Sequence, residues 1–327
     1  MMHGGNVWEG GCPDQWLDFS ANLRPEGPPE WVMDALRTSL SAARYYPDRA
    51  MAAAKAGLAA YAGVNEENIL PTAGGIAAID LALSLDRGAV LAEMPTFGEY
   101  ALRAAAHGRA CLDASERHCA KGDTRVLCNP NNPTGAARTC GDVLSLGGEV
   151  ASCGGRLLVD EAFVDYCPEH SVRGEVGASL TVAGSLTKIL CIPGVRLGYV
   201  CGSAEDISRL EKAALPWQLN AAAAAVAAEL PRHLEDLRRE AARNARRRSA
   251  LKAALEALGA RVWPWATNFL LCDFGRDMTE AVGFLKSRRI LTRPCGSFGL
   301  GANCLRLAVR TEAENMRLTE ELKRCLE

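Results

Sequence analysis

The amino-acid sequence predicts an α/β protein in which a mostly parallel central sheet carries helices on both faces, together with a smaller α+β domain. Two observations lead to this prediction. In the middle of the chain, short apolar runs alternate with helical patterns, which is typical of parallel strands joined by crossover helices. After Ala221 the pattern changes to a long helical stretch followed by two further strand-like runs.

The strands of the predicted central sheet are short runs of mainly apolar residues. They are Ala89–Ala92, Arg125–Cys128, Leu157–Val159, Leu180–Ala183 and Leu197–Cys201. Each run leads into or follows a motif with glycine or polar side chains. In open α/β sheets, ligands bind beyond the carboxyl ends of the strands. We therefore expect the functional residues to gather at that edge of the sheet.

The last third of the chain predicts a different arrangement. A helical stretch covers 221–258 and is interrupted by Pro231. Strand-like runs follow at Asn268–Asp273 and Leu305–Val309. The final helix opens with Thr311-Glu312-Ala313-Glu314, a capping-box pattern in which two side chains satisfy the first free amides of the helix. These features predict a compact α+β unit.

The N-terminal segment is assigned to the same smaller unit. It contains a predicted helix at about 30–40, preceded by Pro28-Pro29, a position where proline is favourable. We therefore predict a large domain of residues 43–219, and a small domain that combines residues 1–42 with residues 220–327.

Composition excludes several classes of function. The 327 residues are enough for a large and a small domain with a substantial core. A net charge of -2 gives no electrostatic basis for binding nucleic acid or an anionic membrane. The longest apolar run, Ala221–Ala228, is too short to span a bilayer, and residues 1–6 lack the pattern of a signal peptide. We therefore expect a cytoplasmic protein that binds neither nucleic acid nor membrane.

The cysteines give no sign of a metal or disulfide site. Thirteen are scattered along the chain without a Cys-x-x-Cys pair. An odd count with this spacing supports neither a disulfide framework nor a zinc site. The sequence predicts no metal, and favours small buried thiols in a reducing compartment.

The most informative motif is Ser185-Leu186-Thr187-Lys188. Asn132 and Asp160 stand upstream of it, and Arg196 follows Lys188 by eight positions. Pyridoxal phosphate chemistry needs an amine that forms a Schiff base with the aldehyde and an acid that keeps the ring nitrogen protonated. The amide can donate to the phenolic oxygen, while the arginine and the two hydroxyls of the motif can hold the phosphate. This ordered set indicates a pyridoxal phosphate enzyme.

Each of these residues alone has a simpler interpretation. Lys188 could be a surface lysine, although the apolar strand before it and the Gly-Pro turn after it disfavour a solvated helix. Asp160 could be a helix N-cap or a salt-bridge partner, since an acid at the end of so apolar a strand needs a partner. Arg196 has apolar neighbours on both sides and therefore needs an anion.

Two further motifs fit the same cofactor. Gly74-Gly75-Ile76 opens a helix, and free amides at a helix start bind phosphate. Phe97 follows a strand and can stack on the pyridine ring. The simpler interpretations are a turn for the glycines and a core position for the aromatic side chain.

Two arginines near the C-terminus predict an anionic substrate. Strand alternation places Arg306, Ala308 and Arg310 on one face. Two arginines on one face can bind a substrate with two anionic groups. The alternative is an exposed, solvated face of a sheet.

Together these motifs resemble the fold-type I, aspartate-aminotransferase-like superfamily of pyridoxal phosphate enzymes, over nearly the whole chain. The resemblance implies that Lys188 forms the Schiff base, Asp160 contacts the ring nitrogen, Asn132 the phenolic oxygen, and Phe97 the ring. It implies phosphate contacts from Gly75, Ile76, Ser185, Thr187 and Arg196, and a substrate carboxylate on Arg306. Tyr46 matches a tyrosine that in relatives reaches the phosphate of the neighbouring subunit, so a homodimer with shared active sites is implied.

Two subfamilies that handle phosphorylated substrates compete within this resemblance. One contains the histidinol-phosphate aminotransferases and the other the L-threonine-O-3-phosphate decarboxylases of cobalamin biosynthesis. Several features resemble the decarboxylases: His3-Gly4-Gly5-Asn6-Val7, Asp18-Phe19-Ser20-Ala21-Asn22, Asp160-Glu161-Ala162-Phe163, and Ala308-Val309-Arg310-Thr311. The aminotransferases more typically carry a tyrosine at position 163. His3, Asn22 and Arg310 are accordingly expected at the substrate site with Arg306.

The resemblance therefore implies decarboxylation of L-threonine O-3-phosphate, with a histidinol-phosphate-type aminotransferase as the alternative. A hypothesis from another class is a non-catalytic relative that serves as a binding or regulatory protein. Such a protein would be expected to lose Lys188 or Asp160, and this chain keeps both.

Overall fold

The computed structural model describes residues 4–9, 11–263 and 266–326. Its strands are β1 Leu17–Asp18, β2 Ile69–Thr72, β3 Val90–Ala92, β4 Cys111–Asp113, β5 Thr124–Cys128, β6 Arg156–Asp160, β7 Leu180–Ser185, β8 Gly198–Cys201, β9 Arg261–Val262, β10 Phe269–Asp273, β11 Ile290–Leu291, β12 Arg293–Pro294 and β13 Cys304–Ala308. Its helices are α1 Glu30–Ser39, α2 Ala52–Ala62, α3 Gly75–Leu83, α4 Glu99–Ala106, α5 Cys140–Ser152, α6 Ala204–Ala213, α7 Ala221–Glu229, α8 Leu234–Ala257, α9 Thr279–Ser287 and α10 Glu312–Leu326.

Seven strands form the central sheet in the order β2-β8-β7-β6-β5-β3-β4. All neighbours are parallel except β8, which is antiparallel to both β2 and β7. The carboxyl ends of the parallel strands therefore meet at one edge of the sheet. The loop that leads into β8 reaches this same edge because that strand runs in the opposite direction.

Helices cover both faces of the central sheet. Leu157 and Val159 of β6 pack on one side with α2, α5 and α7, while Leu158 faces the other side with α3, α4 and α6. A strand buried on both faces must be apolar throughout, which explains why these strands read as continuous apolar runs. The charged exceptions in β6 are Arg156, which begins the strand, and Asp160, which ends it.

The smaller unit is built on a second sheet with the order β12-β13-β10-β9, and all its strand pairs are antiparallel. Its core packs this sheet against α8, α9 and α10. The short strand β1 pairs in parallel with β11, which ties the N-terminal segment to this unit. The predicted capping box begins α10, where Thr311 and Glu314 exchange hydrogen bonds.

These observations confirm the predicted fold class: a mostly parallel sheet between two layers of helices, plus a smaller α+β sheet unit. Strand β2, Ile69–Thr72, leads to the glycines at 74 and 75 and is not among the predicted strands. The domain limits at 42/43 and 219/220 stay a prediction.

Among the described helices, none combines the length and apolar character needed to cross a membrane.

The thirteen cysteines are free thiols, and six of them are buried. No group of three or more histidine, cysteine or acidic side chains in the described part of the chain is arranged to hold a metal ion.

Candidate active site

A cavity of about 220 Å³ lies at the carboxyl edge of the central sheet, between this sheet and β12 and β13 of the smaller unit. Most of the residues predicted from the sequence line this cavity. They are Asn22, Gly75, Ile76, Phe97, Asn132, Asp160, Ser185, Thr187, Lys188, Arg196 and Arg306. Asn22 follows β1 and Arg306 lies on β13, while the others lie at or beyond the ends of β2, β3, β5, β6 and β7. The functional side chains therefore meet at the sheet edge that the strand pattern predicts.

Three predicted residues are not part of the described cavity wall. Tyr46 is 81% exposed, and its ring contacts that of Trp217 at 4.8 Å. Arg310 lies two residues beyond the end of β13, so its expected common strand face with Arg306 stays a prediction. Its guanidinium pairs with Glu314 at 2.8 Å. His3 lies outside the described residues, and Gly4 next to it lines the cavity. Their predicted roles stay predictions.

The start of α3 forms a cradle in which the backbone approaches a guanidinium closely. Gly74 has a φ of 89°, and a Cβ on it would lie 2.6 Å from Nη2 of Arg196. A Cβ on Gly198 would lie 2.5 Å from the carbonyl carbon of Gly74. Only glycine fits at either position. The free amides of the first helical turn, together with Arg196 and the nearby Ser185 hydroxyl, can hold a phosphate group.

Asp160 is a buried carboxylate with donors on both oxygens. Tyr100 donates its hydroxyl to Oδ2 at 2.6 Å, and the amide of Ala162 donates to Oδ1 at 3.0 Å. Burial raises the pKa of Asp160, while these hydrogen bonds and the nearby Lys188 partly oppose the rise. A cationic N–H donor in the cavity would stabilise the carboxylate further, which is the contact that a protonated pyridine nitrogen would supply.

We expect Tyr100→Phe to weaken cofactor binding at acidic pH. The phenol is 1% exposed, and a hydrogen bond to a charged group contributes about 1.5–3 kcal/mol. Without it the carboxylate of Asp160 takes up a proton at a higher pH. As the pH is lowered, affinity for a cofactor with a protonated ring should therefore begin to fall about one to two pH units earlier than in the wild type. Absorbance titration of the apo-protein with pyridoxal phosphate across pH measures this.

The matched control is Tyr61→Phe. Tyr61 is also a buried phenol, it donates to the half-buried carboxylate of Asp165, and neither residue lines the cavity. A shift of the same size in both variants would contradict a specific contribution of Tyr100.

Lys188 is positioned to act as a nucleophilic amine. Burial, followed by the positive charges of Arg306 and Arg196, lowers its pKa to about 8, while the nearby Asp160 partly opposes the shift. An amine attacks an aldehyde only in its neutral form. The local charge therefore makes a larger fraction of the amine reactive near neutral pH.

We expect the rate of covalent attachment of pyridoxal phosphate to the apo-protein to rise with pH. The midpoint of this rise should lie near pH 8, instead of near the ordinary pKa of lysine. Arg306→Gln removes a positive neighbour, which favours the ammonium form and moves the midpoint upward. The measurement is the rate of the absorbance change against pH. A wild-type midpoint near pH 10 would show that the amine is not perturbed.

Arg306 links the two sheets across the cavity. It donates to Oδ1 of Asn132 at 2.6 Å and to the carbonyl of Ser20 at 2.7 Å. Its Nε is buried and has no hydrogen-bond partner among the residues that the structure describes. Burial is the main cause that lowers its pKa to about 10. Because Oδ1 of Asn132 accepts from Arg306, the amide nitrogen of Asn132 remains the group that can donate into the cavity.

Sequence reasoning missed a second arginine, Arg293. It lies directly opposite Arg306 on β12 and β13, is buried, and lines the cavity with Ser297 and Phe298. Arg293 donates to Ser297 at 2.7 Å, and both guanidiniums lie over the Phe298 ring, at 5.0 and 5.9 Å. Within the described residues neither arginine forms an ion pair with a carboxylate. The strand β12 has only two residues, so no pattern in the sequence indicates it.

The comparison with protein families identifies the chain. The model of aminotransferase class I and II matches residues 14–322. The chain is 32% identical to a threonine-phosphate decarboxylase of Salmonella typhimurium, over 99% of this chain and 96% of that protein. It is 29% identical to histidinol-phosphate aminotransferase 1 of Pasteurella multocida, over 96% and 93%.

Solved structures share the fold. The histidinol-phosphate aminotransferase of Sinorhizobium meliloti, in complex with pyridoxal 5'-phosphate, superposes with a TM-score of 0.82 at 22% identity, over 94% of this chain and 90% of that one. Pyridoxal phosphate is the cofactor, and the side chains around the cavity fit its aldehyde, ring and phosphate. The chain belongs to the class I and II aminotransferase family of pyridoxal phosphate enzymes.

Proposed function

We propose that this enzyme decarboxylates L-threonine O-3-phosphate, with release of CO2 and formation of (R)-1-amino-2-propanol O-2-phosphate, the linker precursor of cobalamin. The observation that carries the proposal is the buried pair Arg293 and Arg306, which face the cavity without a carboxylate partner. The 32% identity to a threonine-phosphate decarboxylase supports the same substrate class.

The proposal assigns the cofactor contacts to the cavity residues. Lys188 is the covalent attachment point, Asp160 holds the ring nitrogen protonated, and Phe97 stacks on the ring. Asn132 donates to the phenolic oxygen. The phosphate is held by Gly75, Ile76, Ser185, Thr187 and Arg196. When bound, the cofactor supplies an electron sink for the bond that breaks at the substrate Cα.

The arginine pair explains why the substrate should carry two anionic groups. Two guanidiniums on neighbouring strands repel each other, and burial removes the water that would screen them. Phe298 packs against both without neutralising either charge. A ligand with a carboxylate and a phosphate supplies the missing countercharges. Arg306 lies next to Asn132 and is therefore assigned to the carboxylate, which leaves Arg293 for the substrate phosphate.

One feature favours loss of the carboxylate over transfer of the amino group. Phe163 lines the cavity and packs edge-on against Phe269, with ring centroids 5.0 Å apart. Unlike a tyrosine, Phe163 cannot donate to the phenolic oxygen, so Asn132 acts alone there. Lys188, whose pKa is about 8, can return a proton to Cα after CO2 leaves, but an amine in this place can move protons in either reaction.

A histidinol-phosphate-type aminotransferase is the second candidate. It is favoured by the 29% identity to such an enzyme over 96% of this chain. The cofactor contacts would be the same in both reactions. The arginine pair could bind the phosphate of either substrate, so the products must decide.

A homodimer with shared active sites accompanies this proposal, and a cytoplasmic location is part of it. Tyr46 is assigned to the cofactor phosphate of the neighbouring subunit. Its exposure in the single chain, together with that of Tyr45 and Trp217, leaves aromatic surface for such a contact.

We expect purified enzyme to release CO2 from L-threonine O-3-phosphate with no 2-oxoacid added. Trapping the CO2 and identifying the amine product by mass spectrometry measures this. Histidinol phosphate with 2-oxoglutarate is the control substrate pair. Transfer of its amino group to 2-oxoglutarate, with no CO2 from threonine phosphate, would establish the aminotransferase and end the decarboxylase proposal.

A further inference from the structure

The N-terminal segment, residues Gly4–Glu9, reaches the cavity in a way that the cofactor contacts do not explain. Gly4 lines the cavity, and the amide of Gly5 donates to Oγ of Ser20 at 2.7 Å. Further along, Glu9 pairs with Lys286 at 3.1 Å. The segment is therefore attached at two points, one of them at the wall of the active site.

Gly4 packs directly against the main chain of Ser20. A Cβ on Gly4 would lie 2.2 Å from the carbonyl oxygen of Ser20 and 2.7 Å from its carbonyl carbon. No side chain fits at that distance, and the obstacle is backbone, which cannot rotate away. Close approach to the backbone therefore requires glycine at this position.

The same carbonyl of Ser20 accepts the hydrogen bond from Nη2 of Arg306 at 2.7 Å. Gly4 and Arg306 thus contact one peptide group from different directions. This group belongs to a turn in which Oδ1 of Asp18 accepts from the amide and the hydroxyl of Ser20, at 2.7 and 2.6 Å. Arg310 donates to the carbonyl of Asp18 at 3.1 Å, which braces the turn from outside the cavity.

We propose that Gly4 and Ser20 are positioning residues for Arg306: the N-terminal segment, packed on the Ser20 peptide, holds its carbonyl where it fixes the substrate-binding guanidinium. The inference rests on the proposed role of Arg306 as the contact to the substrate carboxylate. It gives Arg310 a supporting function in the same turn. It also gives a role to Gly4-Gly5 and to the Asp18–Asn22 motif, which the cofactor does not need.

The consequence is specific to substrate binding. If Ser20 shifts, Nη2 of Arg306 loses its acceptor and the guanidinium is held by Asn132 alone. A displacement of about 1 Å in a positioning group can change catalytic efficiency on the order of a hundredfold. The three atoms nearest to a methyl group on Gly4 all belong to Ser20, so cofactor binding should be unaffected.

The test is Gly4→Ala in the full-length holoenzyme. We expect KM for L-threonine O-3-phosphate to rise about tenfold or more, with kcat and the dissociation constant of pyridoxal phosphate changed less than about twofold. Ser20→Ala, which removes only the hydroxyl that tethers Gly5, should change KM in the same direction by a smaller factor. Gly148→Ala is the matched control, because that glycine is on an exposed helix face with no atom near the added methyl group.

A double variant separates this inference from the proposed function. In an Arg306→Gln background, Gly4→Ala should raise KM no further, because the contact it disturbs is already absent. Additive effects would overturn the inference, as would an unchanged KM in Gly4→Ala or a parallel fall of kcat and cofactor affinity. If Arg306→Gln itself left KM unchanged, the proposed role of Arg306 would fail first.

Discussion

Lys188→Ala is expected to abolish turnover, by at least about three orders of magnitude, while the protein stays folded. The amine is the only group in the described cavity wall that can bond covalently to an aldehyde in this way. Removing it should not destabilise the chain, because burial and two nearby guanidiniums already disfavour the ammonium form. The measurements are turnover, the visible absorbance of the bound cofactor, and the melting temperature.

The control for charge and size is Lys188→Arg, since a guanidinium remains protonated and cannot act as the nucleophile. Borohydride treatment of the wild type, followed by peptide mass spectrometry, should find the pyridoxyl group on Lys188. A label on another lysine, or a cofactor that dissociates freely from the wild type, would refute the assignment.

The central sheet and its functional edge could be predicted because the signals are local. The strand β6 is buried on both faces, and the three residues between Arg156 and Asp160 are apolar. Strand β7 is also buried throughout, is largely apolar apart from Thr181, and ends at Ser185. Parallel strands bring their carboxyl ends together, and the residues just after each strand must then share one site. Lys188, Asn132 and Arg196 were found in this way.

The substrate side was harder to predict because its contacts join distant parts of the chain. The strand β12 has two residues, and a role for Arg293 becomes visible only when β12 pairs with β13 and places it opposite Arg306. Ser20 contributes a carbonyl, which every residue has, so no side-chain pattern could reveal it. Arg306 lies on β13 and lines the cavity, whereas Arg310 lies beyond the end of the strand at Ala308.

Arg306→Gln is expected to lower kcat/KM for L-threonine O-3-phosphate by roughly two to three orders of magnitude, because removing one partner of a buried charge pair costs about 3–5 kcal/mol. The loss should appear mainly in KM. Cofactor retention should change far less, since Arg306 contacts Asn132 and Ser20 and has no part in the phosphate cradle. Steady-state kinetics and absorbance titration of the cofactor measure the two effects separately.

A buried arginine outside the cavity provides the control for general destabilisation. Arg109 also donates to main-chain carbonyls, those of Gly88 and Leu83 at 2.6 Å, and is as buried as Arg306. Arg109→Gln should lower the melting temperature without a selective rise in KM. If both variants lost substrate and cofactor affinity together, Arg306 would be a structural residue and the anionic substrate would need another partner. A selective loss in Arg306→Gln alone would place the carboxylate on this guanidinium.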